Sequence, residues 1–143
     1  MINQKMIKQS LQPMLHDKKV QVVNLFSKIK SESEFKDKNC IKVVCDKKMN
    51  AIYFSRAPIP AKSRVKHNLQ RKQICIIPFR RKFLMKYLKF KPTPLEKIES
   101  IDMMRIIEHG FDVKMVQTNF DTQAVDTRSD LIKVEKMIKR VSN

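Results

Sequence analysis

Asp126 closes a strand-like stretch and stands just before a run with helical spacing, a place where a carboxylate can face a bound ion instead of the core. On spacing alone the N-cap reading comes first, since Asp is among the preferred capping residues. Arg56, in the loop Ser55-Arg56-Ala57-Pro58-Ile59-Pro60, offers a planar fork of donors suited to a carboxylate or phosphate, and a structural salt bridge uses the same fork. Glu96 and Glu99 fall on one face of a helix, where both could act on one ligand, although carboxylates on adjacent turns are most often surface charge. His16, His67 and His109 show no ligand spacing, and His109 suits the last turn of a helix, where positive charge meets the dipole. Cys40, Cys45 and Cys75 are odd in number, lack C-x-x-C spacing and sit in or beside apolar runs, so they read as small buried hydrophobes. A zinc set or disulfide framework is not expected. The single glycine, Gly110, leaves no Gly-rich loop to cradle phosphate, which excludes P-loop and dinucleotide-fold readings.

These residues need elements to hold them. The 143 residues are enough for one domain and, at 42% hydrophobic, for a buried core. No apolar run approaches the roughly 18 residues of a membrane span, and the polar N-terminus lacks a secretory signal, so a cytoplasmic protein without a membrane partner is expected. Met6, Ile7, Leu11, Met14 and Leu15 predict an amphipathic helix over 3–16, weakened by Pro13. Residues 20–29 read as a strand, and Ser31 to Phe35 as the start of a short helix. The runs 40–45 and 51–54 flank a polar turn and predict a hairpin. After Pro58 and Pro60 a basic loop runs to Gln70, then a strand over 73–77 and a helix over 79–87. Leu95, Ile98, Ile101, Met104 and Ile107 predict one long helix ended by Gly110. A strand over 113–116 follows, and Thr127 to Asp130 has capping-box spacing ahead of Leu131, Val134, Ile138 and Val141. The alternation argues for an α/β fold with a mixed sheet.

The formal charge is +17, and from Lys62 to Lys91 there is no acidic residue. A polyanion is therefore the first partner to weigh, against the blander reading of solvated lysine-rich faces. Weak, nonspecific polyanion binding is the expectation, because no helix-turn-helix, zinc-finger or RNP-type pattern is present.

Three segments carry a resemblance: AIYFSRAPIP at 51–60, PTPLEKIESIDMMRIIEHG at 92–110 and AVDTRSDLIKVE at 124–135. In this order and spacing they resemble the 3-deoxy-manno-octulosonate cytidylyltransferases, which make a CMP-activated sugar acid for lipopolysaccharide. The resemblance implies the C-terminal part of a Rossmann-like nucleotide-diphospho-sugar transferase fold, with residues 1–143 as the C-terminal portion of a cytidylyltransferase domain. It also implies a homodimer formed through the hairpin region. The implied reaction is attack of the anomeric hydroxyl on the α-phosphate of CTP, with pyrophosphate leaving. Under this resemblance Asp126 becomes a catalytic magnesium ligand, and Gln73, Glu96, Asp102 and Arg56 become substrate-binding residues.

Departures from the family pattern accompany the match. Gln73 stands where the family commonly has a histidine touching the sugar acid, and Ile77 where it has tyrosine. Asp102 and Met103 replace the usual glutamate and glutamine. The family's CTP-phosphate loop and first magnesium motif are not among these residues, so the chain alone is expected to be inactive. A non-catalytic relative that dimerises or binds polyanions is the alternative.

Overall fold

The computed structural model describes residues 2–61 and 69–120, together with 125, 128, 131, 132, 134 and 135. The chain runs α1 (Gln4–His16), β1 (Val23–Lys28), α2 (Glu32–Lys36), β2 (Lys42–Cys45), β3 (Ala51–Ser55) and β4 (Arg71–Ile74). It continues through α3 (Arg81–Tyr87), α4 (Pro94–Glu99), α5 (Met103–Glu108) and β5 (Lys114–Gln117). The five strands form one mixed sheet in the order β3-β2-β4-β1-β5. Among the described residues only β1 and β5 pair in parallel, and the remaining neighbours are antiparallel. This is the mixed α/β architecture that the alternation of elements predicts.

Helices cover both faces of the sheet, which is why β1 is buried at every position but its last and does not alternate between buried and exposed. Met6 of α1 packs with Leu25 and Ile74 on one face. On the other, Val22, Phe26, Val43, Phe54 and Met115 meet Phe83, Met104 and Ile106 from the helices of the second half. Asn24 and Gln73 share that second face with Phe26, since strand side chains alternate and Phe26 is paired with Gln73. No helix among the described residues is long and apolar enough to cross a membrane.

Several boundaries follow from local chemistry. Asn3 caps α1 by accepting from the Met6 amide, and Ser31 caps α2 by accepting from that of Glu34. Pro13 is accommodated within α1, and the helix turns Met6, Ser10 and Met14 inward while Ile7, Leu11 and Leu15 face outward. Strand β4 begins two residues earlier than expected, because Arg71 pairs with Lys28, and stops at Ile74. There the Ile76 amide turns back onto the Ile74 carbonyl at 2.7 Å. Cys75, at that bend, is exposed and not buried as expected, while Cys40 and Cys45 are half-buried. Helix α3 starts at Arg81 because Phe79 is held in a bridge to Val22 and the Arg80 amide donates to the Gln21 carbonyl.

The one long helix expected over 95–107 is two. Ser100 adopts the left-handed conformation with φ 54° between α4 and α5. Apolar residues spaced by three fall behind a 3.6-residue turn by about 60° per step, so a straight helix cannot keep them on one side. The break solves this: Ile98 stays 76% exposed, while Ile101, Met104 and Ile106 turn into the core. Gly110, at φ 78°, ends α5 as its position predicts. Of the expected C-terminal helix, residues 128, 131, 132, 134 and 135 are described and are helical; the capping group at 127, 129 and 130 lies outside the described residues.

The break yields a test with opposite signs. Ser100→Gly should raise stability to urea unfolding by about 0.5–1 kcal/mol, because glycine relieves a left-handed residue. In a continuous helix the same change would lower stability by about 1 kcal/mol.

Candidate functional site

The loop after β3 is tied to α4 through one carboxylate. Glu99 Oε1 accepts from Tyr53 Oη at 3.1 Å and from Ser55 Oγ at 2.9 Å, and Oε2 accepts from the Arg56 amide at 2.9 Å. Burial pushes the Glu99 carboxyl up, but those hydrogen bonds outweigh it and hold its pKa below the usual glutamate range. Burial, and then the bond to Glu99, pushes the Tyr53 phenol up.

Arg56 reinforces the same joint. Its guanidinium donates to the main-chain carbonyls of Glu99 at 2.8 Å, Lys38 at 3.1 Å and Ser100 at 3.2 Å. The fork that the sequence offers to a carboxylate or phosphate thus meets carbonyl oxygens on two loops. Beneath it lies Lys42, fully buried in β2, whose ammonium donates to the carbonyls of Asp37 at 2.7 Å, Cys40 at 2.6 Å and Arg56 at 2.8 Å. Burial pushes the Lys42 pKa below the ordinary lysine value. Three backbone acceptors are what make a buried ammonium tolerable there.

Glu96 is engaged in a network separate from that of Glu99. It is buried, forms an ion pair with Arg105, and accepts from the Thr93 amide at 3.2 Å. The Arg105 hydrogen bonds hold its carboxyl below the usual range. Glu108 accepts from the next free amides of α4, those of Leu95 and Glu96, at 3.1 and 3.3 Å. Both carboxylates thereby satisfy a helix N-terminus. The reading of Glu96 and Glu99 as surface charge is corrected: each is engaged within the fold.

Gln73 belongs to a second polar cluster. Its Nε2 donates to Asn24 Oδ1 at 2.6 Å, and its main-chain amide donates to the Ile41 carbonyl at 2.8 Å. Ile77 packs, partly buried, against the larger core cluster. Asp102 is exposed at the N-cap position of α5, with no side-chain cap bond. Arg56 thus meets the C-terminal end of α4 and Glu96 its N-terminal end, while Gln73 lies on β4. Asp126 lies outside the described residues. Among the described residues, no three His, Cys, Asp or Glu side chains gather to hold a metal.

Much of the basic run is engaged internally. Lys72 pairs with Glu34, and Arg71 lies over the Phe26 ring at 5.1 Å. Arg80 donates to the carbonyls of Met14, Asp17 and Val20, and Lys86 sits 4.3 Å from the Phe111 ring. Lys62, Arg64 and Lys66 lie outside the described residues. His109 stacks on Phe90 at 4.2 Å, a contact that spacing does not reveal.

Sequence reasoning missed Lys42, Asn24 and Arg105. The first two had a signal: each is a lone polar residue inside an apolar strand run, where it must find partners or destabilise the sheet.

Known proteins place this geometry. A family described as cytidylyltransferase matches residues 1–129. A "3-deoxy-manno-octulosonate cytidylyltransferase" of Geobacter metallireducens is 36% identical, covering 98% of this chain and 59% of that protein. One of the same name from Fusobacterium nucleatum is 35% identical, covering 97% and 57%. A solved CMP:2-keto-3-deoxy-manno-octonic acid synthetase complexed with CTP superposes with a TM-score of 0.90 at 28% identity, over 98% of this chain and 58% of that one. The chain thus spans under two thirds of the length of these relatives.

Glu108 is held low as well, by its hydrogen bonds to the start of α4, and with Glu96 and Glu99 it contributes to the acid limb of stability. A carboxylate held below its unfolded pKa contributes fully above the unfolded value and loses that contribution as pH falls through the folded one. Urea stability should therefore decline below about pH 4.5, the ordinary glutamate value. Glu99→Gln should flatten part of that decline and cost about 1–3 kcal/mol at pH 7. An unchanged acid limb would remove Glu99 from the joint.

Proposed function

Because this chain belongs to the cytidylyltransferase family, we propose that it serves transfer of CMP from CTP to 3-deoxy-manno-octulosonate or a related ulosonic acid, releasing pyrophosphate, for lipopolysaccharide biosynthesis. The observation that carries the reading is the superposition of 98% of the chain, at a TM-score of 0.90, on a synthetase of this kind complexed with CTP. In the reaction the anomeric oxygen forms a bond to the α-phosphorus of CTP, the bond to the departing pyrophosphate breaks, and the hydroxyl proton is lost.

In this reading the chain supplies the sugar-acid side of the site. Arg56 and Glu96, engaged within the fold, shape that side by fixing the β3 loop and the start of α4. Gln73 and Asp102 are the proposed contacts to the sugar acid. Asp126 is the proposed ligand of Mg²⁺, which would supply charge neutralisation at the phosphates. We place the protein in the cytoplasm as a homodimer formed through the hairpin; Ile52, 55% exposed on the sheet-edge strand β3, supports that surface.

Pyrophosphate release from CTP and 3-deoxy-manno-octulosonate tests the reading. The 143-residue chain alone should release none, whereas the chain joined to the part of a curated relative that it does not match should be active and need Mg²⁺. Asp126→Asn should then lower activity roughly a hundredfold or more. It should leave the unfolding midpoint unchanged, because Asn also caps helices. Full activity in that variant would return Asp126 to capping. A folded but inactive joined protein would favour the non-catalytic alternative.

A further inference from the structure

Asn24 is fully buried in β1, and one end of its amide faces three main-chain carbonyls: Ile74 at 2.7 Å, Leu25 at 3.1 Å and Ile76 at 3.4 Å. Only the NH₂ end can meet carbonyl oxygens, so Asn24 Oδ1 must be the other end. The Gln73 atom 2.6 Å from that oxygen is then necessarily the donor Nε2. Turning the Gln73 amide over would set two acceptors at that distance with no proton between them. Gln73 is half-buried, and its carbonyl Oε1 is the end left without a partner among the described residues.

We propose that Asn24 is a positioning residue that locks the Gln73 amide with its carbonyl oxygen toward the ligand, so that this position accepts a hydrogen bond from a sugar-acid hydroxyl. The inference rests on the reading that Gln73 touches the sugar acid. An outward carbonyl oxygen repels a carboxylate and welcomes a hydroxyl donor. The position therefore selects ulosonic acids that keep a free hydroxyl there, and it rejects derivatives in which that hydroxyl is alkylated. Discrimination of this kind is large when a buried polar group would be left unpaired. Neither the composition nor the helical and strand periodicities carry this information, because it depends on a contact between residues 24 and 73 across two strands.

Two measurements on the full 143-residue chain test it. In the first, side-chain amide proton exchange is followed by NMR. The Gln73 NH₂ should exchange at least about tenfold more slowly than that of exposed Gln4, and Asn24→Leu should abolish the difference. Equal exchange in the parent chain would overturn the lock. In the second, 3-deoxy-manno-octulosonate, its mono-O-methyl ethers and its carboxylate ester are titrated calorimetrically. One ether should bind about tenfold or more weakly than the parent acid, and Gln73→Leu should erase that difference. Asn24→Leu should weaken the parent acid when Gln73 is present and have no further effect beside Gln73→Leu, which a merely structural role would not produce. If Asn24→Leu does not fold, the exchange of the parent chain and the Gln73→Leu titrations still decide the matter. A penalty for the ester that vanishes in Gln73→Leu would overturn the proposal, since Gln73 would then be donating to the carboxylate. A locked amide with no binding of any sugar acid would instead defeat the reading of the site, and the selectivity with it.

Discussion

The carboxylate of Glu99 is the point from which the rest of this half of the molecule is set. It collects the Tyr53 and Ser55 hydroxyls and the Arg56 amide, three donors from one short stretch of chain. Arg56 answers by donating to the carbonyls of Glu99 and Ser100, so α4 and β3 are joined in both directions. Lys42 extends the joint downward to the α2–β2 loop through the carbonyls of Asp37 and Cys40. Such a network is favourable only when complete, because each buried donor or acceptor left unpaired carries its full desolvation cost. Hairpin, loop and helix turn are consequently held as one unit.

This explains why two of the segments that resemble the family, 51–60 and 92–110, carry polar residues that are engaged within the fold. In the 51–60 segment the hydroxyls and the arginine are held by Glu99 and by carbonyl oxygens. In the 92–110 segment Glu96 is closed by Arg105, and Glu108 caps the helix start. Residue types suited to phosphate and carboxylate recognition thus fix the backbone here. The proposed contacts to the sugar acid lie elsewhere: exposed Asp102 in the turn between α4 and α5, and Gln73 on β4.

The short-range features were legible before the structure. The caps at Ser31 and Gly110, the 40–54 hairpin and the strand–helix alternation all depend on residues near one another in the chain. What escaped depends on distant contacts. The break at Ser100 is forced by the need to turn Ile101 and Met104 onto the sheet while Glu99 reaches β3, and no local propensity for a left-handed serine announces it. Lys42 and Asn24 were visible as polar intrusions in strands, but their partners lie up to 52 residues away. Glu96 and Arg105 are on separate helices, so helical spacing could not pair them.

The central claim is that Glu99 holds the β3 loop, and the main-chain amide of Arg56 reports on it directly because that amide's acceptor is the Glu99 carboxylate at 2.9 Å. Native-state hydrogen exchange at neutral pH is the measurement. The Arg56 amide should be protected in the parent chain, and Glu99→Gln should speed its exchange by about tenfold or more, corresponding to about 1.4 kcal/mol, while amides of the β1–β5 pair keep theirs. An Arg56 amide that exchanges equally in both proteins would contradict the account.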